Sequence, residues 1–180
     1  MSKSILTAKI LGISTSLLAA GGILSLSAFV IPPLTSPSSP STPSATLQSL
    51  RLVFSRGSHV FPELASLASA AFAYVAYHAP STASPPLAST GSLYSSSSPR
   101  ASYVAASLLS ISIAPFTVGV MVPAANGRLR ELMGRDAQGR GVEGREVQQL
   151  ARWFGALNYV RGALLAAGGV VGLAAALSGM

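Results

Sequence analysis

Apolar positions along the chain gather into four long blocks. The first, residues 10–31, and the third, residues 101–123, contain no charge. The second covers residues 57–79 and holds His59, Glu63 and His78; the fourth, residues 154–178, holds one charge, Arg161. A helix of ~20 apolar residues crosses the hydrocarbon core of a bilayer, so each block predicts a membrane span. Between the first two blocks, 13 of the 15 residues from Pro32 to Thr46 are Pro, Ser or Thr. A similar stretch precedes the third block, with Ser95 to Ser98 in a row. Such composition buries too little apolar surface to fold, which predicts flexible or extended linkers over residues 32–50 and 80–100. The third connection, residues 124–152, carries six Arg and four acids. Gly134, Gly139, Gly141 and Gly144 predict a turn-rich middle there. Val147, Leu150, Phe154 and Leu157 then recur at helical spacing and predict a short amphipathic helix running into the last span. The pattern as a whole predicts one domain over residues 1–180, an all-α integral membrane four-helix bundle with two low-complexity loops.

Composition strengthens this reading. Hydrophobic residues make up 49% and charged residues 9% of the 180, against roughly a quarter charged in soluble domains. Ala, Gly and Ser abound, and small residues let helices approach closely in lipid. Gly168 and Gly172 form one such small-xxx-small pair, a helix contact that leaves a homo-oligomer open. Lys3 and Lys9 before the first block, with Ser25, Ser27 and Ala28 near its end, resemble a signal peptide. The apolar run exceeds the usual ~7–15-residue signal core, so a retained first helix is expected.

Net charge is +7. The bases are scattered, with no basic helix and no aromatic platform, so a nucleic-acid partner is not expected. The bilayer is the expected partner. Loops one and three carry eight arginines, Arg51, Arg56, Arg128, Arg130, Arg135, Arg140, Arg145 and Arg152; the other side carries Lys3, Lys9 and Arg100. That bias predicts a multi-pass protein with these loops in the cytoplasm and both termini outside or in a lumen, the endoplasmic reticulum being one candidate organelle. Cysteine is absent, which excludes thiol catalysis.

The polar residues inside the spans are the candidates for chemistry. His59 and Glu63 are four apart and share a helix face, and buried groups of this kind suit a general base. Asn158 and Arg161, three apart, also share a face. An intramembrane arginine needs a partner or a cavity. A structural polar cluster remains the competing reading. The histidines do not have metal-ligand spacing, and no dinucleotide or phosphate-binding loop is present.

Pro115-Phe116-Thr117, Met121, Pro123 and Asn126, followed by Trp153, Asn158 and Arg161 in a W-x4-N-x2-R arrangement, give the C-terminal third a specific resemblance to the fungal anthrone oxygenase family. Gly12, Ser16, Gly21, Ser25, Ser27 and Pro32, then Gly57 and Pro62 as G-x4-P, extend it more loosely. The family pattern reads Pro-x-Asn after the third helix; Pro123-Ala124-Ala125-Asn126 is one residue longer. The resemblance implies a membrane monooxygenase that converts a polyketide anthrone to an anthraquinone in secondary metabolism. O2 would be co-substrate, with neither metal nor flavin. The ligand would be a hydrophobic aromatic small molecule held by Trp153, Asn158, Arg161 and Asn126. Placement in the membrane nominates His59 or Glu63 as base. The alternative is a non-catalytic accessory or assembly protein.

Overall fold

The computed structural model describes residues 2–36, 42–79 and 98–178. These form four long helices and no strand: α1 Lys3–Thr35, α2 Pro43–His78, α3 Pro99–Ala137 and α4 Gly144–Ser178. Each contains a stretch long and apolar enough to cross a membrane. α1 packs along α2 and α4, and α3 packs along the same two, so the ring closes between the first and last helices. The protein is an all-α, four-helix membrane bundle.

The helices overrun the apolar blocks, and the reasons are local. α2 starts at Pro43 rather than near residue 57. Thr42 Oγ1 accepts a hydrogen bond from Ala45 N at 3.3 Å, and Pro43 sits in the first turn, where its missing N–H is no loss. Ser98 and Pro99 open α3 in the same way, with Ser98 Oγ accepting from Ala101 N. α1 passes through Pro32 and Pro33 to Thr35 after a π-helical turn at Leu26–Val30. The two prolines fall at the start of the restarted α-helical segment, where their rings meet no preceding helical turn of that segment. The extended linker expected over residues 32–50 is therefore helical at both ends; residues 37–41, and 80–97 of the second low-complexity stretch, lie outside the described residues. Gly134 likewise lies within α3, and the turn is confined to the segment around Gly139, at φ 69°.

α3 changes winding along its length. Pro115 lacks the N–H for Ile111, and the helix relaxes at Ser112, whose ψ is −18°. Thr117–Asn126 then winds as a π-helix. Each hydrogen-bonded turn of a π-helix spans one residue more than in an α-helix.

Along α1 and α4 the contact is a seam of glycines. Gly155, Gly162 and Gly169, seven apart, face Ile31, Leu24 and Leu17, also seven apart and in reverse order. The sevenfold spacing is that of antiparallel helices whose side chains enter the holes of the facing helix. A Cβ on Gly162 would stand 2.6 Å from Leu24 Cγ, and one on Gly172 would collide with the Phe72 ring. Hydroxyls add interhelical bonds: Ser16 Oγ donates to Leu165 O at 2.7 Å, and Ser107 Oγ donates to Ser69 O at 3.0 Å.

Three apolar clusters stack along the bundle. One at the far end surrounds Phe72, Val75 and Tyr103, and a middle one surrounds Ala19, Ile23, Ile113 and Leu165. The third joins Leu47 and Leu50 to Leu129, Leu132, Val147 and Phe154. It lies where the helices run past the apolar blocks, at the basic end. Ser44 Oγ donates to Asp136 at 2.6 Å there, and Arg152 Nη2 donates to Thr35 O at 3.0 Å, capping the end of α1. Arg128 bridges Glu131 at 2.6 Å and Glu146 at 2.7 Å, tying α3 to α4.

Candidate active site

Three helical faces converge at the junction of the middle cluster and the basic end. α2 brings Phe54, Gly57, Ser58 and Phe61, spaced as one face of a helix. α3 brings Asn126 and Arg130, four apart, beyond Thr117 and Val122. α4 brings Phe154, Asn158 and Arg161. Together they line a cavity of about 350 Å³, within the range of small-molecule sites. On α2 the lining from Val53 to Pro62 extends over about 13 Å of helix, so the cavity is a slot.

The slot combines an aromatic pair with a few polar residues. Phe54 and Phe154 stack at 4.7 Å between centroids and 23° between planes. Arg161, 8% exposed, donates from Nη1 to Asn158 Oδ1 at 3.1 Å. Asn158 Nδ2 in turn donates to Phe154 O at 3.0 Å, which holds the amide with its oxygen toward the guanidinium. Arg161 Nε is buried without a protein partner, and so is Asn126 Oδ1 on a residue 6% exposed. A buried polar atom left unpaired costs about 1–3 kcal/mol. The two residues thus carry one unused donor and one unused acceptor in the buried layer beside the slot.

The mouth lies between α2 and α3. α2 packs against α3 up to Phe116 and again beyond Gly127, but scarcely along the π-helical stretch. Ser58, Pro62, Val118 and Val122, all exposed, border this gap. Those on α3 and Pro62 fall within the apolar blocks, so the opening faces the bilayer.

The structure thus brings Asn126, Asn158 and Arg161 together. It does not bring the other three expected residues to them. Trp153 is 54% exposed beside Arg145, Gln149 and Arg152 on the outer surface, the position of an interfacial anchor. His59 and Glu63 share a face, as expected, but that face is exposed, and neither lines the slot. No ion pair joins Glu63 to Arg161 among the described residues. Nor do three His, Asp or Glu side chains cluster there as metal ligands would. Sequence reasoning missed the Phe54–Phe154 wall and Arg130. The signal was present in the Phe54-Gly57-Ser58-Phe61 spacing and in Asn126-Arg130.

A family model for anthrone oxygenases matches residues 50–171. The chain belongs to the anthrone oxygenase family. Comparisons with curated proteins and with solved structures return no match. The family match covers most of α2, all of α3 and most of α4, the three helices that supply nearly the whole lining of the slot. Membership in this family points to an oxygenase-like function for an integral, multi-pass membrane protein.

Proposed function

We propose that this protein oxidises a polyketide anthrone to an anthraquinone with O2, without metal or flavin, as a step of aromatic polyketide secondary metabolism. The observation that supports this reading best is a cavity lined by the Phe54–Phe154 pair and by the buried Asn126, Asn158 and Arg161, two of which carry an unpartnered polar atom. A planar tricyclic substrate packs against the Phe54–Phe154 pair. Its carbonyl oxygen lies toward the Arg161 guanidinium, and a neighbouring hydroxyl lies toward the Asn126 amide.

The chemistry follows from the substrate. Loss of one proton from the central methylene, or from the enol tautomer, gives a delocalised anion whose charge rests largely on the oxygen. Arg161 favours that anion in a water-poor site. The anion passes one electron to O2, and the resulting radical and superoxide join at the former methylene carbon. Loss of the second proton from that carbon with cleavage of the O–O bond leaves a carbonyl and hydroxide. Anthrone and O2 become anthraquinone and water. Among the described residues no carboxylate or imidazole lines the slot, so solvent at the basic end accepts the first proton. Oriented Asn158 and Arg161 provide electrostatics rather than base catalysis.

The test is conversion of an anthrone by membranes containing the protein, followed by mass spectrometry, with and without exhaustive chelation. Quinone forms in both cases and not in control membranes. Activity lost to chelation and restored by iron or copper would overturn the mechanism.

A further inference from the structure

A second cavity of about 350 Å³ adjoins the slot at the basic end and shares Phe54, Ser58 and Arg130 with it. Arg51, Ser55, Met133 and Gly134 complete most of its wall. Two guanidinium groups therefore border it, and among the described residues no acid lines either this vestibule or the slot. Neither Arg51 nor Arg130 takes part in an ion pair among the described residues. Asp136 borders an adjoining depression together with Arg51, where Ser44 Oγ donates to its carboxylate at 2.6 Å. Arg130 stands one turn beyond Asn126 on α3, and so faces both spaces.

Positive charge thus borders both of two adjoining cavities, the polar vestibule and the more apolar slot. The inner cation, Arg161, is buried among Asn158 and the aromatic wall. The outer pair is exposed, at the end where the helices leave the apolar blocks. A ligand that satisfies both ends has a flat apolar body, an anionic oxygen at one end and an acidic group at the other. Guanidinium recognises carboxylate through paired N–H donors, and two arginines suit it well.

We infer that Arg130, assisted by Arg51, forms a subsite for a carboxylate on the substrate, so that the preferred substrate is an anthrone carboxylic acid rather than its neutral parent. This deepens the oxygenase reading and rests on it for the identity of the aromatic body. The subsite also fixes direction. With the carboxylate in the vestibule, the reacting ring lies along the Phe54–Phe154 wall and its oxygen reaches Arg161.

Binding tests the subsite apart from turnover. The full chain in nanodiscs of zwitterionic lipid is titrated with anthraquinone-2-carboxylate and with anthraquinone. The preference for the acid falls about tenfold in Arg51→Gln/Arg130→Gln, as expected for a lost charged hydrogen-bonded pair. Arg51→Lys/Arg130→Lys retains part of it, and added salt weakens only the acid. A preference unchanged in the double glutamine variant, or equal weakening of both ligands, overturns the proposal. Arginine-dependent preference without any anthrone oxidation would instead leave the subsite standing and remove the oxygenase reading. Oxidation with an arginine-independent preference would remove the subsite alone.

Discussion

At the scale of single residues, the structure separates the polar groups that face the slot from those that merely lie in a span. Asn158 and Arg161 were legible because three-residue spacing on a helix fixes a shared face whatever surrounds it. Asn126 was legible only through family resemblance. Its neighbours Thr117–Ala125 wind as a π-helix, a feature no 3.6-residue pattern reveals. His59 and Glu63 show why burial was harder to read. Ala68 is fully buried on α2, and His59 precedes it by nine residues, about two and a half turns, so it points the opposite way. In a soluble helix the apolar stripe would have marked the inner face. Here Val60, Leu67 and Tyr74 are apolar and exposed, because lipid rather than water lies outside. Two expectations follow. Arg161→Gln lowers anthrone turnover by about 100-fold, the usual scale for losing a transition-state donor. Turnover is expected to rise with pH as the substrate anion forms, and Arg161→Gln moves that rise to higher pH, since a lost cation no longer favours the anion. His59→Ala and Glu63→Gln each retain turnover within about threefold, measured on the same membranes. A hundredfold loss from either would restore them as base candidates.

At the scale of elements, small residues carry the fold. The glycines at 155, 162 and 169 let α1 and α4 meet closely, and Gly12, Gly22 and Gly172 receive the rings of Phe72 and Phe61. The sequence displayed Gly168 and Gly172 as a four-residue pair, yet the seven-residue series carries the longer contact. That series was hidden because its partners, Leu17, Leu24 and Ile31, sit among many similar residues of α1. The Thr-Pro and Ser-Pro helix starts were hidden by composition in the same way: one capping residue decides the local structure, while the surrounding Ser and Pro suggest a linker. Gly162→Ala should destabilise the bundle by about 1–3 kcal/mol, the usual cost of overpacking. Thermal unfolding in detergent measures it. Leu24→Ala added to Gly162→Ala recovers part of the loss, because the clash is with that side chain. Gly119→Ala, with nothing within 4 Å of the added Cβ, stays within about 0.5 kcal/mol. Equal loss at Gly119 and Gly162 would deny the seam its role.

At the scale of the whole molecule, the four-span bundle followed directly from the four apolar blocks, since length and charge-free composition suffice to specify a span. The extent of the basic end did not follow. Its cluster depends on residues before and after the spans, such as Leu47, Leu50, Leu129 and Leu132, whose amphipathic spacing is masked by Ser, Thr and Arg around them. The Ser44–Asp136 and Arg152–Thr35 hydrogen bonds bring the first and third connections to one end, as four successive crossings require. With eight of the twelve basic residues there, the positive-inside bias directs this end to the cytoplasm. On this orientation the basic vestibule is expected to open to cytoplasmic water, and the proposed substrate would keep its carboxylate there while its aromatic body lies in the slot. A single cysteine replaces Gly141, in the exposed α3–α4 turn, or Lys3, exposed at the start of α1. In sealed cytoplasm-inside vesicles, an impermeant maleimide labels the Lys3→Cys protein and spares Gly141→Cys until detergent is added. Labelling of Gly141→Cys in intact vesicles would invert the orientation and place the vestibule on the luminal or outer side. The carboxylate subsite would then have to be supplied from that compartment.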